Sequence, residues 1–202
     1  MKLLIASDIH GDYKRAGEIY EIWKNGDFDE VILLGDLLYH GPRNDLPEFY
    51  NPKKVIPILS QMKDSILAVR GNCDAEVDQM VLPFPILDEK KELTVDGRKV
   101  ILVHGHHEID YTGYDVVMSG HTHIPVLEKR GATLFLNPGS TTIPKGGSSA
   151  SYAIWDNGKI EIISLDDGNV VKEWECHIHI DNSIFFPDGD LSSMEFHDLV
   201  DN

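Results

Sequence analysis

The amino-acid sequence predicts an α/β fold in which two β-sheets pack face to face and helices lie outside them. Residues 1–71 alternate apolar runs with amphipathic stretches in the order β-α-β-α-β, which favours a parallel sheet with helical crossovers. After about residue 85 the pattern changes to short strand-like runs separated by turn pairs. The 202 residues, of which 42% are apolar, suit one domain with a sizeable core.

The first half contains three predicted strands and two predicted helices. Residues 2–7 form a near-continuous apolar run, typical of a strand that is buried on both faces, and Gly11 breaks it into a turn. Asp12 is a suitable cap for a helix from Tyr13 to Lys24, where apolar residues recur with the helical period. The remaining predicted elements are a strand at 31–34, a helix from Pro52 to Met62 that is interrupted or restarted near Pro57, and a strand at 66–69.

The second half is predicted to be rich in strands and partly antiparallel. Turn pairs such as Asp96-Gly97 and Asn157-Gly158 separate the apolar runs, as in β-hairpins. The predicted strands are 92–96, 99–103, 115–118, 124–129, 132–136, 151–155, 159–165 and 169–176.

The chain is predicted to form one domain at residues 1–176, followed by an acidic C-terminal extension at 177–202. The extension mixes acidic residues with a few aromatic ones, so we expect it either to dock as a strand and short helix or to be partly disordered. Residues 155–202 carry 12 acidic and two basic residues, which is most of the excess negative charge. The simplest interpretation of this charge is a solvated surface that repels polyanions.

Composition excludes some classes of function and favours one compartment. The net charge of -16 argues against long nucleic acid as a partner, because binding to phosphate backbones depends on Lys and Arg. Neither a secretory signal nor an apolar segment of about 20 residues is evident, so we expect no membrane association. Cys73 and Cys176 form no disulfide-type spacing, which favours a cytoplasmic protein.

Five polar motifs follow apolar strands, at the place where ligand sites assemble in open α/β sheets. Residues at i and i+2 of an extended segment project to the same side, so we expect Asp8 with His10, and His121 with His123, to grip common clusters. Carboxylate, imidazole and carboxamide ligands suit Mn, Fe, Zn or Co better than Ca. The motifs are Ser7-Asp-Ile-His10, Gly35-Asp36, Gly71-Asn-Cys-Asp74, Val103-His-Gly-His106 and Gly120-His-Thr-His123.

Each motif taken alone has a simpler explanation than metal binding. An Asp-x-His pair is more often a turn and cap, Asp36 could be a helix cap or loop charge, and Asn72 a turn residue. The two histidines of the last motif could be solvated on an edge strand. The presence of all five motifs in one order favours a shared metal site.

The ordered set resembles the calcineurin-like metallophosphoesterase family. Further stretches are similar to its YfcE-type phosphodiesterase subgroup, and the resemblance covers roughly residues 1–176. It implies an α/β fold that is a four-layer α/β/β/α sandwich of two mostly mixed sheets, with metals between the strand ends. The similar stretches are Gly35–Asn44, Val69–Asp74, Glu76–Met80, Asn137–Ser140 and Ile143–Gly147.

The resemblance also implies seven ligands for two divalent metal ions. Manganese is the usual ion, with Fe, Zn, Co or Ni as alternatives, and a metal-bridging hydroxide is implied to attack the phosphorus atom. Asp36 is implied to bridge, because one carboxylate offers two oxygens. One metal would take Asp8, His10 and His123, and the other Asn72, His104 and His121.

Further roles are predicted around this centre. Cys73 stands where many relatives carry a histidine that is thought to protonate the leaving oxygen, and placement beside the substrate is favoured over acid or nucleophile chemistry. The loop 137–140 could line the mouth of the metal site or only hold a strand connection. Asp74 and Asp12 are candidates to orient the histidine ligands. The catalytic candidates are Cys73, Asp36 and His106, and the substrate-binding candidates are His40, Arg43, Asn72 and His106, although Arg43 could instead pair across the surface.

The resulting prediction is a two-metal phosphodiesterase that hydrolyses small phosphodiesters. A phosphomonoesterase or nucleotidase using the same site is the main alternative, and the acidic charge argues against a nuclease. A non-catalytic scaffold resembling the retromer subunit is a rival from another class, although such scaffolds depart from the ligand pattern that is complete here. A homo-oligomer, dimer or tetramer, is expected by analogy with small family members.

Overall fold

The chain builds two mixed β-sheets, seen in a computed structural model that describes residues 1–175. The elements of this range, in chain order, are β1 (Lys2–Ala6), α1 (Tyr13–Lys24), β2 (Glu30–Leu33), α2 (Pro52–Ser60), a 3-10 turn (Lys63–Ser65), β3 (Ile66–Ala68), α3 (Glu76–Gln79), β4 (Lys90–Val95), β5 (Arg98–Val103), β6 (Val116–Met118), β7 (Val126–Arg130), β8 (Thr133–Asn137), β9 (Ser151–Asp156), β10 (Lys159–Ser164) and β11 (Val170–Glu175).

The first sheet joins the two halves of the chain. Its strand order is β11-β10-β9-β1-β2-β3, and β1, β2 and β3 are parallel, as predicted. Strand β9 then pairs antiparallel with the free edge of β1, and β10 and β11 extend the sheet as antiparallel neighbours. The C-terminal strands of the described range therefore complete the sheet that the N-terminal strand begins.

The second sheet consists of strands from the middle of the chain, in the order β4-β5-β6-β8-β7. Strands β5, β6 and β8 are parallel, and β4 and β7 pair antiparallel at the two edges. In both sheets, the parallel strands point their carboxyl ends towards the loops that carry the polar motifs.

The main core lies between the two sheets. The apolar run of β1 is buried on both faces, because Leu3 and Ile5 face the second sheet while Leu4 and Ala6 face the helices. Trp155 of β9 is fully buried in the inter-sheet core, where its Nε1 donates a hydrogen bond to Asp96 Oδ2 at 2.9 Å. This explains why the N-terminal run lacks the alternation of a half-exposed strand.

Helices α1 and α2 cover the outer face of the first sheet through buried residues such as Ile19 and Leu59. Asp12 caps α1 as predicted, since its Oδ1 accepts hydrogen bonds from Lys14 N and Arg15 N. The predicted interruption of α2 at Pro57 is wrong. Pro57 lies on the exposed side of a continuous helix, where water can satisfy the carbonyl that loses its donor.

The outer face of the second sheet is covered differently from the four-layer expectation. A small cluster of Ile101, Val103 and Val117 lies there, and Ile109 and Tyr114 pack against it. These two residues belong to the segment 104–115, which contains no helix. Within residues 1–175 this segment, and not a helix, therefore covers the cluster.

The strand predictions of the second half agree with the structure to within about two residues at each end. Cys176 and the predicted extension at 177–202 lie outside the described residues, so the proposed domain boundary stays a prediction. Among the described helices, none combines the length and the apolar character needed to cross a membrane.

The inter-sheet core gives a test of stability at Trp155. We expect Trp155→Ala to lower the free energy of unfolding by about 3–5 kcal/mol, because it empties a fully buried aromatic site. Trp155→Phe should cost less, since it keeps most of the volume and loses only the hydrogen bond to Asp96. Urea denaturation measures both changes, and equal losses for the two variants would contradict this account of the core.

Candidate metal centre

Seven candidate ligands lie in loops that follow parallel strands of both sheets. Asp8 and His10 follow β1, Asp36 follows β2 and Asn72 follows β3 in the first sheet. In the second sheet, His104 follows β5, and His121 and His123 follow β6. Because the two sheets pack face to face, these loops meet at one end of the inter-sheet core.

The backbone of this region is strained in a way that directs side chains inward. The Asp-x-His and His-x-His pairs were expected to lie on extended backbone, and this expectation is wrong. Both residues of each pair have a positive φ, which is left-handed backbone and belongs to a turn. Such a conformation costs about 1 kcal/mol or more for a residue with a Cβ, and clusters of it are typical of functional sites. The candidate ligands with positive φ are Asp8 (56°), His10 (48°), Asp36 (57°), His121 (66°) and His123 (60°).

Two glycines let these loops approach closely enough to share one site. A Cβ at Gly71 would collide with the carboxylate and backbone of Asp36, and a Cβ at Gly120 would collide with Ser7 Oγ and the carboxylate of Asp8. Any other residue at either position would push a ligand loop away.

The first group of ligands is formed by Asp8, His10 and His123, all of them buried. Asp8 Oδ1 lies 3.2 Å from His123 Nε2 and 3.7 Å from His10 Nε2, and the two Nε2 atoms are 3.3 Å apart. Ser7 Oγ and His121 N donate to the other carboxylate oxygen of Asp8, at 2.6 and 3.0 Å. Oδ1 is thus left facing the imidazoles.

The second group is centred on His104. Its Nε2 lies 3.1 Å from Asn72 Oδ1 and 3.5 Å from Asp36 Oδ2, and the ring of His121 is 5.1 Å away between centroids. The same oxygen of Asp36 lies 3.7 Å from His10 Nε2 in the first group. The Asp36 carboxylate therefore stands between the two groups.

Backbone carbonyls, and not carboxylates, orient three of the histidines. His10 Nδ1 donates to Tyr39 O at 2.8 Å, and His104 Nδ1 and His123 Nδ1 donate to Leu34 O and Ile143 O, each at 2.6 Å. In the neutral ring this bond places the proton on Nδ1, so that Nε2 of each of these three rings faces the site.

The expectation that Asp74 and Asp12 orient the histidines is therefore wrong. The buried carboxylate of Asp74 instead accepts backbone N–H bonds from Asp36 and Gly71 on Oδ2, both at 2.8 Å, and from Leu37 on Oδ1 at 2.9 Å. Burial raises the pKa of Asp74 to about 6 in spite of these donors. Asp74 thus ties the Asp36 loop to the Asn72 loop.

The loop at 137–140 follows β8 and braces the site, a role beyond the predicted strand connection, and it is not among the residues that border the cleft described below. Asn137 Nδ2 donates to Gly120 O at 2.6 Å, next to the His121 loop. Ser140 Oγ is fully buried and donates to Asp8 O at 2.8 Å. Both bonds fix loops that carry candidate ligands.

The donor atoms fit divalent cations. Among the described residues, Asp8 Oδ1 is fully buried and receives no hydrogen bond, and imidazole nitrogens surround it. Burial favours the neutral imidazole, but hydrogen bonding to Asp36 and the charges of Asp8 and Asp36 raise the pKa of His104 to about 9. Burial alone would raise the pKa of Asp8, yet the neighbouring imidazoles of His10 and His123, with the charge of His104, hold that pKa far below its usual range. The buried anions thus demand positive charge, which a cation can supply.

A cleft of about 420 Å³ opens onto these ligands. It brings together metal-ligand candidates with two cationic side chains, Arg43 and Lys145, neither of which forms an ion pair within residues 1–175. The lining residues are Asp36, Gly41, Pro42, Arg43, Asn44, Asn72, Cys73, His121, Thr122, His123 and Lys145. Arg43 therefore faces the cleft, and its alternative role in a surface ion pair is not seen.

Cys73 is half-buried beside the ligands. Asn72 Nδ2 lies 3.2 Å from its Sγ, and Cys73 N donates to Asp36 Oδ1 at 2.8 Å. Burial, together with the negative charge of Asp36, raises the pKa of the thiol to about 12. The thiol is therefore neutral near pH 7, which makes it a weak nucleophile.

Two further candidates lie away from the cleft lining. His40 is packed edge-on between the rings of Tyr39 and Tyr50. His106 lies 5.4 Å from His104 between ring centroids, but it lines a separate hollow. Neither histidine is among the residues that border the 420 Å³ cleft.

Lys145 is the cleft residue that sequence reasoning missed as a site. It stands in the Lys145–Ser149 stretch, which reads as an ordinary surface loop. Its backbone N donates to His123 O at 3.1 Å, so the loop is attached to a ligand loop. A lysine in a Gly-rich stretch close to a buried His-x-His motif is the signal that could have found it.

Comparison with known proteins identifies the family. Residues 1–159 match the calcineurin-like phosphoesterase superfamily domain. The chain belongs to this superfamily. It is 42% identical over 178 residues to phosphodiesterase YfcE of Escherichia coli K12. The aligned stretch covers 86% of this chain and 97% of that protein. A solved structure of E. coli YfcE, described as a phosphoesterase, superposes with a TM-score of 0.82 at 41% identity, covering 88% of this chain and all of the other.

One more distant relative is matched in sequence, and one more distant structure is matched in fold. Phosphodiesterase MJ0936 of Methanocaldococcus jannaschii is 28% identical over 151 residues, which cover 69% of this chain and 83% of that protein. Vacuolar protein sorting 29 of Cryptosporidium parvum superposes with a TM-score of 0.61 at 19% identity, covering 87% and 98% of the two chains, and this likeness shows the fold alone. The predicted family, the phosphoesterase class and the metallophosphoesterase fold of two mixed sheets are confirmed.

The bracing role of Asp74 gives a test with a matched control. Asp74→Asn should lower the free energy of unfolding by about 1–3 kcal/mol, because an amide has one acceptor oxygen and its NH2 group would face a backbone N–H. Asp12→Asn should be near neutral, since both of its bonds go to one oxygen, which Asn retains. Urea unfolding of the two variants makes the comparison, and equal losses would refute the brace.

Proposed function

We propose that this chain is a two-metal phosphodiesterase that acts on small phosphodiesters. The observation that carries the proposal is the position of Asp36, whose Oδ2 lies 3.7 Å from His10 Nε2 and 3.5 Å from His104 Nε2. One carboxylate is thus shared by two groups of ligands, as a bridging ligand requires. The 42% identity to a protein named phosphodiesterase supports the choice of reaction.

The proposed ligand sets follow the two groups in the structure. When bound, the two ions would supply Lewis acidity and a water of lowered pKa for in-line attack on phosphorus. Nitrogen and oxygen ligands without thiolate suit manganese, our first choice, and allow Fe, Zn, Co or Ni. In the proposal Asp8, His10 and His123 hold one ion, Asn72, His104 and His121 hold the other, and Asp36 bridges them.

The residues of this chain would do the positioning. Arg43 and Lys145 are exposed, positively charged and free of ion pairs within the described residues, so they can bind phosphate oxygens that enter the cleft. The carbonyl bonds at Nδ1 keep the imidazoles of His10, His104 and His123 in one orientation, which limits the reorganisation needed during the reaction.

The size and charge of the protein favour a small substrate. A cleft of about 420 Å³ accommodates a compact diester, and the net charge of -16 disfavours long nucleic acid. Two relatives named phosphodiesterase, at 42% and 28% identity, support a diesterase over a monoesterase. A phosphomonoesterase or nucleotidase using the same residues is the second candidate.

The substrate class is tested by a parallel panel. Purified protein should hydrolyse bis(p-nitrophenyl) phosphate in the presence of Mn²⁺ with a higher kcat/KM than p-nitrophenyl phosphate. The reverse preference would favour the monoesterase. A protein that retains metal but cleaves neither ester would instead support the non-catalytic scaffold, and metal analysis of the same sample distinguishes these outcomes.

The bridging role is tested by Asp36→Asn. Turnover of the aryl diester should fall by about 100-fold or more, because the amide removes the negative charge between the two ions. The fold should persist, since Asn tolerates the left-handed backbone at this position and still accepts from Cys73 N. Asp27→Asn is a matched control, because Asp27 is also left-handed but exposed and remote from the ligand groups. Near-normal rates for Asp36→Asn, with circular dichroism unchanged, would refute the assignment.

The role of Cys73 is tested by its serine variant. A thiol whose pKa is raised to about 12 stays protonated from pH 6 to pH 9, so removing it should leave the shape of the pH–rate profile unchanged. We expect kcat within about threefold of the original, since Ser keeps a small polar group in the same place. Loss of one limb of the profile in Cys73→Ser would show acid–base participation of the thiol.

A further inference from the structure

A second cluster of ligating side chains lies on the surface beside the main centre. Glu89, His106 and His107 each offer one atom, and these three atoms lie within 4.8 Å of one another. Glu89 directly precedes β4, and the two histidines follow β5, the antiparallel partner of β4. The pairing of two strands therefore brings the three side chains together.

The local backbone explains how two consecutive histidines face one point. In an extended strand, neighbouring side chains point to opposite faces. Residues 105–107 instead form a bend after β5, and Gly105 within it has a φ of 99°. The rings of His106 and His107 consequently lie 4.0 Å apart between centroids, at an interplanar angle of 43°.

Two observations indicate that this cluster lacks a partner of its own. His106 Nδ1 is buried and makes no hydrogen bond within the described residues. The three side chains also border one hollow of about 220 Å³. Lys90 borders it too, but Lys90 Nζ pairs with Glu92 at 3.4 Å, whereas Glu89 forms no ion pair with any described residue.

We propose that Glu89, His106 and His107 form a third cation site, distinct from the two-metal centre, that takes Zn²⁺ or a similar late first-row divalent ion. Two imidazoles and one carboxylate are a common three-residue set for zinc, with water completing the coordination. Ligands of a tetrahedral zinc ion at about 2.1 Å lie about 3.4 Å apart, so a modest contraction is needed. Glu89 and His107 are exposed and can rotate to provide it.

The proposed third site is more exposed to solvent than the main centre. The residues at the centre of the main site are buried, whereas Glu89 and His107 are open to solvent, so we expect weaker and faster-exchanging binding here. His106 lies 5.4 Å from His104 between ring centroids. A bound cation would thus add positive charge close to one of the main ligands.

Stoichiometry tests the proposal directly. Untagged full-length protein, dialysed to equilibrium against excess Zn²⁺, should hold one more equivalent per chain than His107→Ala or Glu89→Gln, as measured by elemental analysis. Glu92→Gln is the matched control, because it removes a neighbouring carboxylate of β4 that lies outside the cluster. Any zinc taken up elsewhere on the chain, for example by His177 or His179, is common to every variant and cancels in the difference.

Crystallography supplies a second readout that requires no turnover. An anomalous peak at the zinc edge should lie between Glu89 and the two histidines in the unaltered protein and be missing in His107→Ala. Equal zinc content in all variants, or a peak that persists in His107→Ala, would overturn the proposal. Hydrolysis with Mn²⁺ should be unchanged in His107→Ala, so failure of the proposed phosphodiesterase activity and failure of this site are separate results.

Discussion

The Asp36 carboxylate, held between imidazoles from two sheets, is the constraint on which the rest of the site depends. Its Oδ2 lies 3.7 Å from His10 Nε2 in one group and 3.5 Å from His104 Nε2 in the other. Burying this charge beside the fully buried Asp8 is costly unless positive charge lies between them. The two sheets must therefore pack at a fixed distance, because the Asp36 carboxylate contacts imidazoles that follow strands of both sheets.

The surroundings of the ligands hold this arrangement with backbone groups. Carbonyls fix the rings of His10, His104 and His123, while Asp74 ties two loops together through their N–H groups. Because these bonds join different loops, a shift in one loop disturbs ligands in another. Left-handed residues store strain in the same loops, and the braces keep that strain from relaxing.

Local patterns were enough to predict most elements, because helix and strand periods are properties of short segments. Helix α1 was predicted at its observed bounds from the spacing of apolar residues and its Asp12 cap. The pairing of β9 with β1 was not predicted, since residues about 150 positions apart must meet and nothing local specifies it. The same limit applies to the segment 104–115, whose Ile109 and Tyr114 cover the outer cluster of the second sheet in place of the helical layer that the four-layer arrangement implies.

The sequence by itself determined the kind of donor atoms, which are hard and intermediate oxygen and nitrogen donors at strand ends. They belong to the candidate ligands Asp8, His10, Asp36, Asn72, His104, His121 and His123. Only the tertiary structure decided which groups meet. It brought Lys145 to the cleft, left His40 between two tyrosines and turned His106 towards Glu89. The physical reason is that residue type sets what an atom can bind, whereas loop conformation and sheet packing set the distances at which it does so.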